Sequence, residues 1–279
     1  MNFRKERRTI AFYVLCAILI VFFIFPVFWQ ILASLKSYGQ LITLEWPTVF
    51  IFEPTLENYA ATYYDALPTI RNSLILAGTS TILCLAAGSF AGYGFARFKW
   101  RGKEDLAFLI LTIRLLPPIV SLIPYYVILV NLKLIDTYPP LILLYTYMDL
   151  AFVIWLMRGV FEEIPPDFEE SAMIDGCSRL TALRRIVMPL ALPGLVVAGV
   201  FSFVFAWNEY LLALALTALD VKTMPVHMSG FIQRVTRIKW EQVAAVSSLY
   251  IFPAIIIAIA FRKYIVRGLT FGMVRPKGE

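Results

Sequence analysis

The chain has 279 residues, 60% of them hydrophobic and only 16% charged, with a mean hydropathy of +0.75 and a formal charge of +6. Soluble domains average about 25% charged and about 45–50% apolar residues, so the composition points away from a soluble enzyme and toward a membrane protein. One histidine, His227, and three dispersed cysteines, Cys16, Cys84 and Cys177, supply no metal-ligand spacing, no disulfide framework and no histidine-based catalytic dyad.

The N-terminal stretch MNFRKERRTIAFYVLCAILIVFFIF begins basic and turns apolar, the general order of a secretory signal. Its uncharged run continues from Thr9 to Leu35, well beyond the roughly 7–15 residues of a signal core, and no A-x-A-like site follows. A retained membrane span is expected there. A bilayer core needs roughly 20 apolar residues as helix, because backbone polar groups in lipid must be satisfied within the segment. Suitable runs lie between Arg8 and Lys36, Arg71 and Arg97, Asp105 and Lys133, Asp136 and Arg158, Arg185 and Asp220, and Glu241 and Arg262. The expected fold class is an all-α integral membrane protein with about six transmembrane helices.

Sidedness follows from basic residues, which are in excess on cytoplasmic loops. With both termini cytoplasmic, the inner segments hold Arg4, Lys5, Arg7 and Arg8, then Arg97, Lys99, Arg101 and Lys103. Further along they hold Arg158, Arg179, Arg184 and Arg185, and finally Arg262, Lys263, Arg267, Arg275 and Lys277. The outer loops hold Lys36, Arg71, Lys133, Lys222, Arg234, Arg237 and Lys239, the last of these loops being more basic than the rule prefers. Topology thus accounts for the net charge, and nucleic-acid binding is not expected. The first outer loop, Ser37 to Ile70, carries Pro47, Pro54 and Pro68 with Glu45, Glu53, Glu57 and Asp65, and is expected to fold along the outer surface.

Motifs of covalent chemistry are missing from these residues. There is no G-x-x-x-x-G-K-[ST] phosphate loop, no Gly-x-Ser-x-Gly elbow and no His-Glu-x-x-His helix. The glycines of GSFAGYG, Gly88 and Gly92, suit close helix packing instead. Ionisable groups within spans are costly and tend to be functional. Arg114 and Asp149, in the third and fourth runs, are expected to pair with each other. In the fifth run, Trp207, Asn208, Glu209 and Tyr210 combine aromatic surface with hydrogen-bonding groups, as a sugar path would. The alternative for them is an interhelical hydrogen-bond cluster or a place near the outer interface. Pro117, Pro118 and Pro124 either break the third span and expose carbonyls to a path, or only kink it. His227 is expected at the outer surface.

The segment FEESAMIDGCSRL, Phe168 to Leu180, is crowded with charge in an oily chain. Pro165 and Pro166 suit a helix start, and Asp167, Glu169 and Glu170 fall in its first turn, where the helix dipole favours negative charge. Gly176 suits a helix stop. A second helical piece follows, with Leu180, Leu183, Ile186 and Val187 on one arc, interrupted by Arg179 and ending near Arg184, Arg185 and Pro189. A helix–Gly–helix with a partly apolar face exceeds what joining two spans requires, and it reads as a docking element as well as a capped loop.

The run EESAMIDGCSRLTALRRIVMPLALP, Glu169 to Pro193, resembles the E-A-A-x-x-D-G-A…F-x-x-I-x-L-P-x-x-x-P loop of ABC-importer permeases. Glu170, Ala172, Asp175, Gly176, Ile186, Pro189 and Pro193 match, while Ser171, Cys177, Leu183 and Met188 depart conservatively. RNSLILAGTSTILCLAAGSFAGYGFARFKWRGK, VFSFVFAWNEYLLALALT and RKYIVRGLTFGMV are similar to the carbohydrate-importer, maltose-permease-like subunits. The resemblance implies the ABC type I importer fold in a bacterial or archaeal cytoplasmic (inner) membrane. Residues 1–70 would hold the cytoplasmic N-terminus, first span and outer loop; 71–266 the transmembrane core, with a coupling loop at 161–189; and 267–279 a cytoplasmic tail. It further implies a second permease subunit, a separate ATPase dimer that carries ATP and Mg, and an extracytoplasmic binding protein. No cofactor is expected on this chain itself. Glu169, Glu170, Ala172, Asp175, Gly176 and Leu183 become the ATPase-coupling residues, with Trp207, Asn208, Glu209 and Tyr210 as the candidate substrate path. The rival readings are a stand-alone proton-coupled secondary transporter using Asp149 or Glu209, and a membrane-embedded enzyme. The absence of visible repeats disfavours the first, and the lack of a nucleophile–base pattern disfavours the second.

Overall fold

The computed structural model describes residues 3–43, 46–47, 49–232 and 238–270. All regular elements among them are helical. Residues 271–279 of the expected tail, and Glu45, Arg234 and Arg237 of the expected outer loops, lie outside the described residues. The side chains of Arg4, Lys5, Arg7, Arg8 and Arg267 lie outside them as well.

The chain divides into two compact units. The first comprises Met1–Leu67 and His227–Phe252. Helix α1 (Phe3–Ser34) contributes an apolar run within Thr9–Ser34 whose mean hydropathy is 2.9, and no residue of that window is buried in the chain. Its end is fastened. Asn58 Nδ2 donates to the carbonyls of Ser34 (2.9 Å) and Lys36 (2.8 Å), and the Ser34 and Tyr59 hydroxyls lie 2.7 Å apart. Lys36 is buried, with Nζ donating to the Val49 carbonyl (2.6 Å) and lying over the Trp29 and Phe52 rings. A short α2 (Tyr38–Ile42) follows. Helix α3 (Glu57–Arg97) begins well before the apolar run that starts after Arg71. The expected outer loop Ser37–Ile70 is therefore helical in its last quarter and more. Charge bracketing finds where hydrocarbon can lie, and Glu57, Asp65 and Arg71 concealed a helix that starts earlier. In the same unit, His227 of α12 (Met224–Ile232) is half-buried against the edge of Phe231, at 5.1 Å between centroids, rather than a surface histidine. Helix α13 (Trp240–Thr270) carries the last long apolar run.

The second unit comprises Pro68–Val226 and Pro253–Glu279. Its centre is α6 (Tyr138–Glu163), whose Val153, Met157 and Phe161 are fully buried with Cys84, Leu183, Val187 and Ala198. Close approach explains Gly88 and Gly92 of α3. A Cβ at Gly88 would lie 2.5 Å from Val153 Cγ1, and one at Gly92 would lie 2.9 Å from the Arg158 amide nitrogen and 3.0 Å from the Ile154 carbonyl. Small residues let backbones meet in this way where apolar burial drives nothing in lipid.

Among the described residues four helices are long and apolar enough to cross a membrane, and two bent pairs, each counted as one span, bring the number to six. The third run is α4 (Lys103–Arg114) and α5 (Pro118–Asn131), bent by 82°. Pro117 precedes Pro118 at the first helical position, and the two lack the amide donors that would continue α4. Of the two readings for these prolines, Pro117 and Pro118 break the span while Pro124 sits inside α5. The expected single run Arg185–Asp220 is also divided. Helix α8 (Arg179–Ala182), a π-helical turn (Leu183–Val187) and α9 (Met188–Leu190) meet α10 (Leu192–Trp207) at 76°, and a short α11 (Leu211–Leu216) follows. Pro189 and Pro193 flank that bend and remove two more amide donors.

Candidate coupling loop and intramembrane cavity

Helix α7 (Asp167–Ile174) starts after Pro165 and Pro166 with Asp167, Glu169 and Glu170 in its first turn. It stops at Gly176, whose φ of 89° is a left-handed angle that glycine adopts without a Cβ penalty. The Cys177 amide donates to the Ala172 carbonyl (3.0 Å) and the Gly176 amide to the Met173 carbonyl (3.1 Å). This pair of bonds is a Schellman motif. Ser178 then caps α8, its hydroxyl accepting from the Thr181 amide at 3.3 Å.

The residues assigned to coupling from sequence separate into two faces. Glu169, Ala172 and Leu183 are buried, while Glu170, Asp175 and Gly176 are exposed beside Phe168, Ile174 and Leu180. Glu169 is an anchor. Its carboxylate accepts from the Tyr93 hydroxyl (2.6 Å) and Arg97 Nε (2.5 Å), and Arg97 Nη2 donates onward to the Ile164 carbonyl (2.7 Å). The Arg97 and Glu169 side chains retain 8% and 2% of their exposure, so α7 is tied to the end of α3 by a buried ion pair. Sequence reasoning counted Arg97 only as a topological charge and did not single out Tyr93. The apolar arc is also corrected: Leu180 is 56% exposed, and Ala182 joins Leu183 and Val187 inside. Arg179, which interrupted the arc, lies over the Phe98 ring at 5.4 Å.

Arg114 and Asp149 come together. Nη1 of Arg114 lies 3.4 Å from Asp149 Oδ1, and the guanidinium covers the Phe152 and Phe205 rings at 5.1 and 5.6 Å. At the bend between α4 and α5 lies a cavity of about 490 Å³, walled by Arg114, Ser121, Tyr125, Tyr147 and Phe205 among apolar neighbours.

Trp207, Asn208, Glu209 and Tyr210 do not assemble one open aromatic–polar face. Trp207 is 2% exposed and stacked on Phe203. Glu209 accepts from the Leu212 (2.9 Å) and Ala213 (3.1 Å) amides and so caps α11. Asn208 is exposed, its amide donating to the Val204 carbonyl, and Tyr210 is half-buried. Local capping by a carboxylate two residues ahead of a short helix was readable in the sequence as a polar residue before an apolar run.

A second carboxylate was missed altogether. Asp136, with φ of 60°, accepts from the amides of Ala218, Leu219, Asp220 and Val221 at 2.9–3.0 Å. Partial burial pushes its pKa up, but the four amide donors outweigh it and hold the carboxyl at about 2. Asn72 Nδ2 donates to the Asp220 and Lys222 carbonyls, and the Tyr138 hydroxyl donates to Asn72 Oδ1, so the 217–222 segment is latched from two sides. Among the described residues no group of three or more His, Cys, Asp or Glu is placed to hold a metal, and Cys16, Cys84 and Cys177 are free thiols.

Residues 85–271 match the family model described as "Binding-protein-dependent transport system inner membrane component". The chain belongs to this permease family. The permease is 34% identical over 264 residues to the sulfoquinovosyl glycerol transport system permease protein SmoH of Agrobacterium fabrum, covering 93% of this chain and 92% of the relative. It is 32% identical over 265 residues to the diacetylchitobiose uptake system permease protein DasC of Streptomyces coelicolor, covering 94% and 95%. Its fold is that of a chain in the crystal structure of a bacterial ABC transporter involved in the import of the acidic polysaccharide alginate. That match has a TM-score of 0.79 at 22% identity over 95% of the permease and 98% of the solved chain. The family match spans both bent runs, the Glu169 anchor and the Asp136 latch of the permease.

Proposed function

We propose that the permease is one of two membrane subunits of an ATP-driven importer for a saccharide or related polyol, with the 168–193 loop docking in a separate ATPase dimer. The observation that carries this reading is the division of α7. Phe168, Glu170, Ile174 and Asp175 face outward as mixed apolar and acidic contact surface, while Glu169 ties the helix inward to Tyr93 and Arg97. A helix held in this way transmits displacement to α3 instead of swivelling. Both termini and this loop lie in the cytoplasm, as the distribution of basic residues implies, and an extracytoplasmic binding protein delivers the cargo on the opposite side. The cargo class rests on relatives: sulfoquinovosyl glycerol and diacetylchitobiose, named for the two permeases above, are both glycosides. ATP and Mg belong to the ATPase partner.

The test is reconstitution into proteoliposomes of this chain with the permease, ATPase and binding protein of its own importer. Uptake should require ATP and every component. Uptake by this chain alone, driven by a proton gradient, overturns the reading and restores the secondary-transporter alternative.

A further inference from the structure

The cavity at the α4–α5 bend is accounted for neither by the loop nor by the family match. Its volume of about 490 Å³ falls within the roughly 300–1,000 Å³ of small-molecule sites. Arg114 alone among its lining residues is charged, and Ser121, Tyr125 and Tyr147 supply hydroxyls on an otherwise apolar and aromatic wall. The pairing of Arg114 is one-sided. Asp149 is 3% exposed and meets Arg114 through one contact of 3.4 Å, while the Arg114 side chain keeps 33% of its exposure. A guanidinium carries five N–H donors in a fixed fork, so donors remain for a second oxyanion on the cavity side. The Phe152 and Phe205 rings lie within cation–π range of the guanidinium.

Depth decides what that oxyanion belongs to. Helix α4 has 12 residues, about 18 Å at roughly 1.5 Å per residue, and its first turn carries Lys103, Glu104 and Asp105, the charges that bound its apolar run. Standing along the bilayer normal, α4 would carry Arg114 a little past half of a hydrocarbon core of about 30 Å. Lipid phosphates do not reach that depth; an anionic group carried on a transported molecule does.

We infer that this cavity is a cargo subsite for the acidic glycosyl unit of a saccharide, with Arg114 receiving its carboxylate or sulfonate and Tyr125 and Tyr147 facing its ring. The subsite deepens the importer reading and rests on it for the word cargo. Arg114 is a specificity-determining residue of the path: it favours anionic over neutral rings and opposes cationic ones.

The experiment uses the assembled importer in nanodiscs, with Cys16, Cys84 and Cys177 replaced and Ser121→Cys as the reporter. Labelling of that thiol by a water-soluble thiosulfonate is followed with methyl glucuronide, methyl glucoside or methyl glucosaminide present at millimolar concentration. The glucuronide should slow labelling several-fold more than the glucoside, and the glucosaminide least. Because Arg114→Gln alone leaves Asp149 buried without its partner, the comparison variant is Arg114→Gln with Asp149→Asn, which removes both charges together. The preference should vanish in that variant. Equal protection by the three glycosides, no protection by any, or a preference that survives the double substitution overturns the assignment. Protection as expected in an importer that shows no ATP-dependent uptake would sink the importer reading and leave the acidic-glycoside site standing. Slowing by phosphatidylglycerol in the nanodisc, with no glycoside effect, would assign the fork to a lipid and refute the cargo subsite.

Discussion

Replacing Gly92 by alanine tests the close contact of α3 and α6. The new methyl would lie 2.9 Å from the Arg158 amide nitrogen and 3.0 Å from the Ile154 carbonyl oxygen. Both are backbone atoms of a helix whose other face is packed, so neither can rotate away as a side-chain tip would. Forcing a methylene into such a site costs about 1–3 kcal/mol. Alanine also gains about 1 kcal/mol of helix propensity over glycine, which masks part of that cost. Gly78, in the same helix, removes the ambiguity, since a Cβ there meets nothing within 4 Å. Gly78→Ala receives the propensity gain without the clash. The difference between the two variants therefore isolates the contact, at about 1–3 kcal/mol, or about 2–12 °C in melting temperature at roughly 2–4 °C per kcal/mol for a large domain. Cys84 is fully buried and free, so a thiol-reactive dye reports unfolding directly once Cys16 and Cys177 have been replaced. Gly92→Ala melting at or above Gly78→Ala in that assay would refute the close-contact account.

Glu169→Ala should lower the melting temperature far more than Glu170→Ala. The first leaves Arg97 buried without its partner, a loss of about 3–5 kcal/mol, and the second removes an exposed charge at within about 0.5 kcal/mol; equal melting curves would contradict the anchor. Gly176→Pro asks for a φ near −65° where the chain holds 89°, so the Schellman turn cannot form, and co-purification of the ATPase together with uptake should be lost; normal assembly and transport would remove Gly176 from the coupling assignment. Asp136 has a lowered folded pKa, so its contribution to stability is full above the ordinary carboxylate value and is lost as pH falls toward about 2. The protection factors of the amides of Ala218 to Val221, corrected for the intrinsic pH dependence of exchange, should stay high at pH 5 and fall as pH drops through that window, and they should already be lower in Asp136→Asn at pH 7. Protection that is unchanged in Asp136→Asn would show that the latch is held by other groups.

Much of the helical plan could be read from local pattern. Runs bounded by charge located every long apolar helix, because the cost of charge in hydrocarbon acts residue by residue. The cap at Gly176 and the acidic first turn of α7 were equally local. What escaped was of two kinds. Helix α3 begins at Glu57 in a stretch too polar to count as a span, since helix formation and hydrocarbon burial obey different rules. The other kind depended on partners distant in sequence. Asp136 looked like a mere boundary of an apolar run, yet its donors stand more than eighty residues away. Glu169 looked like surface charge until Tyr93 and Arg97 supplied its pocket. Glu209, by contrast, has local partners: it was weighed as a sugar ligand because its residue type fitted, whereas its two oxygens meet the amides of Leu212 and Ala213, three and four residues on.

Helix α1 has one more consequence. Its apolar window has no residue buried by the rest of the chain, while its lower end is pinned through Ser34, Lys36 and Asn58. It stands like a mast stepped at the foot and unstayed above. An evenly oily cylinder holds no preferred azimuth, so neighbouring molecules decide which of its sides is covered, and lipid can give way to protein there without any side chain of this chain losing a contact. The apolar window of this first span is thus a surface whose surroundings can be exchanged at no cost to the packing of the described residues.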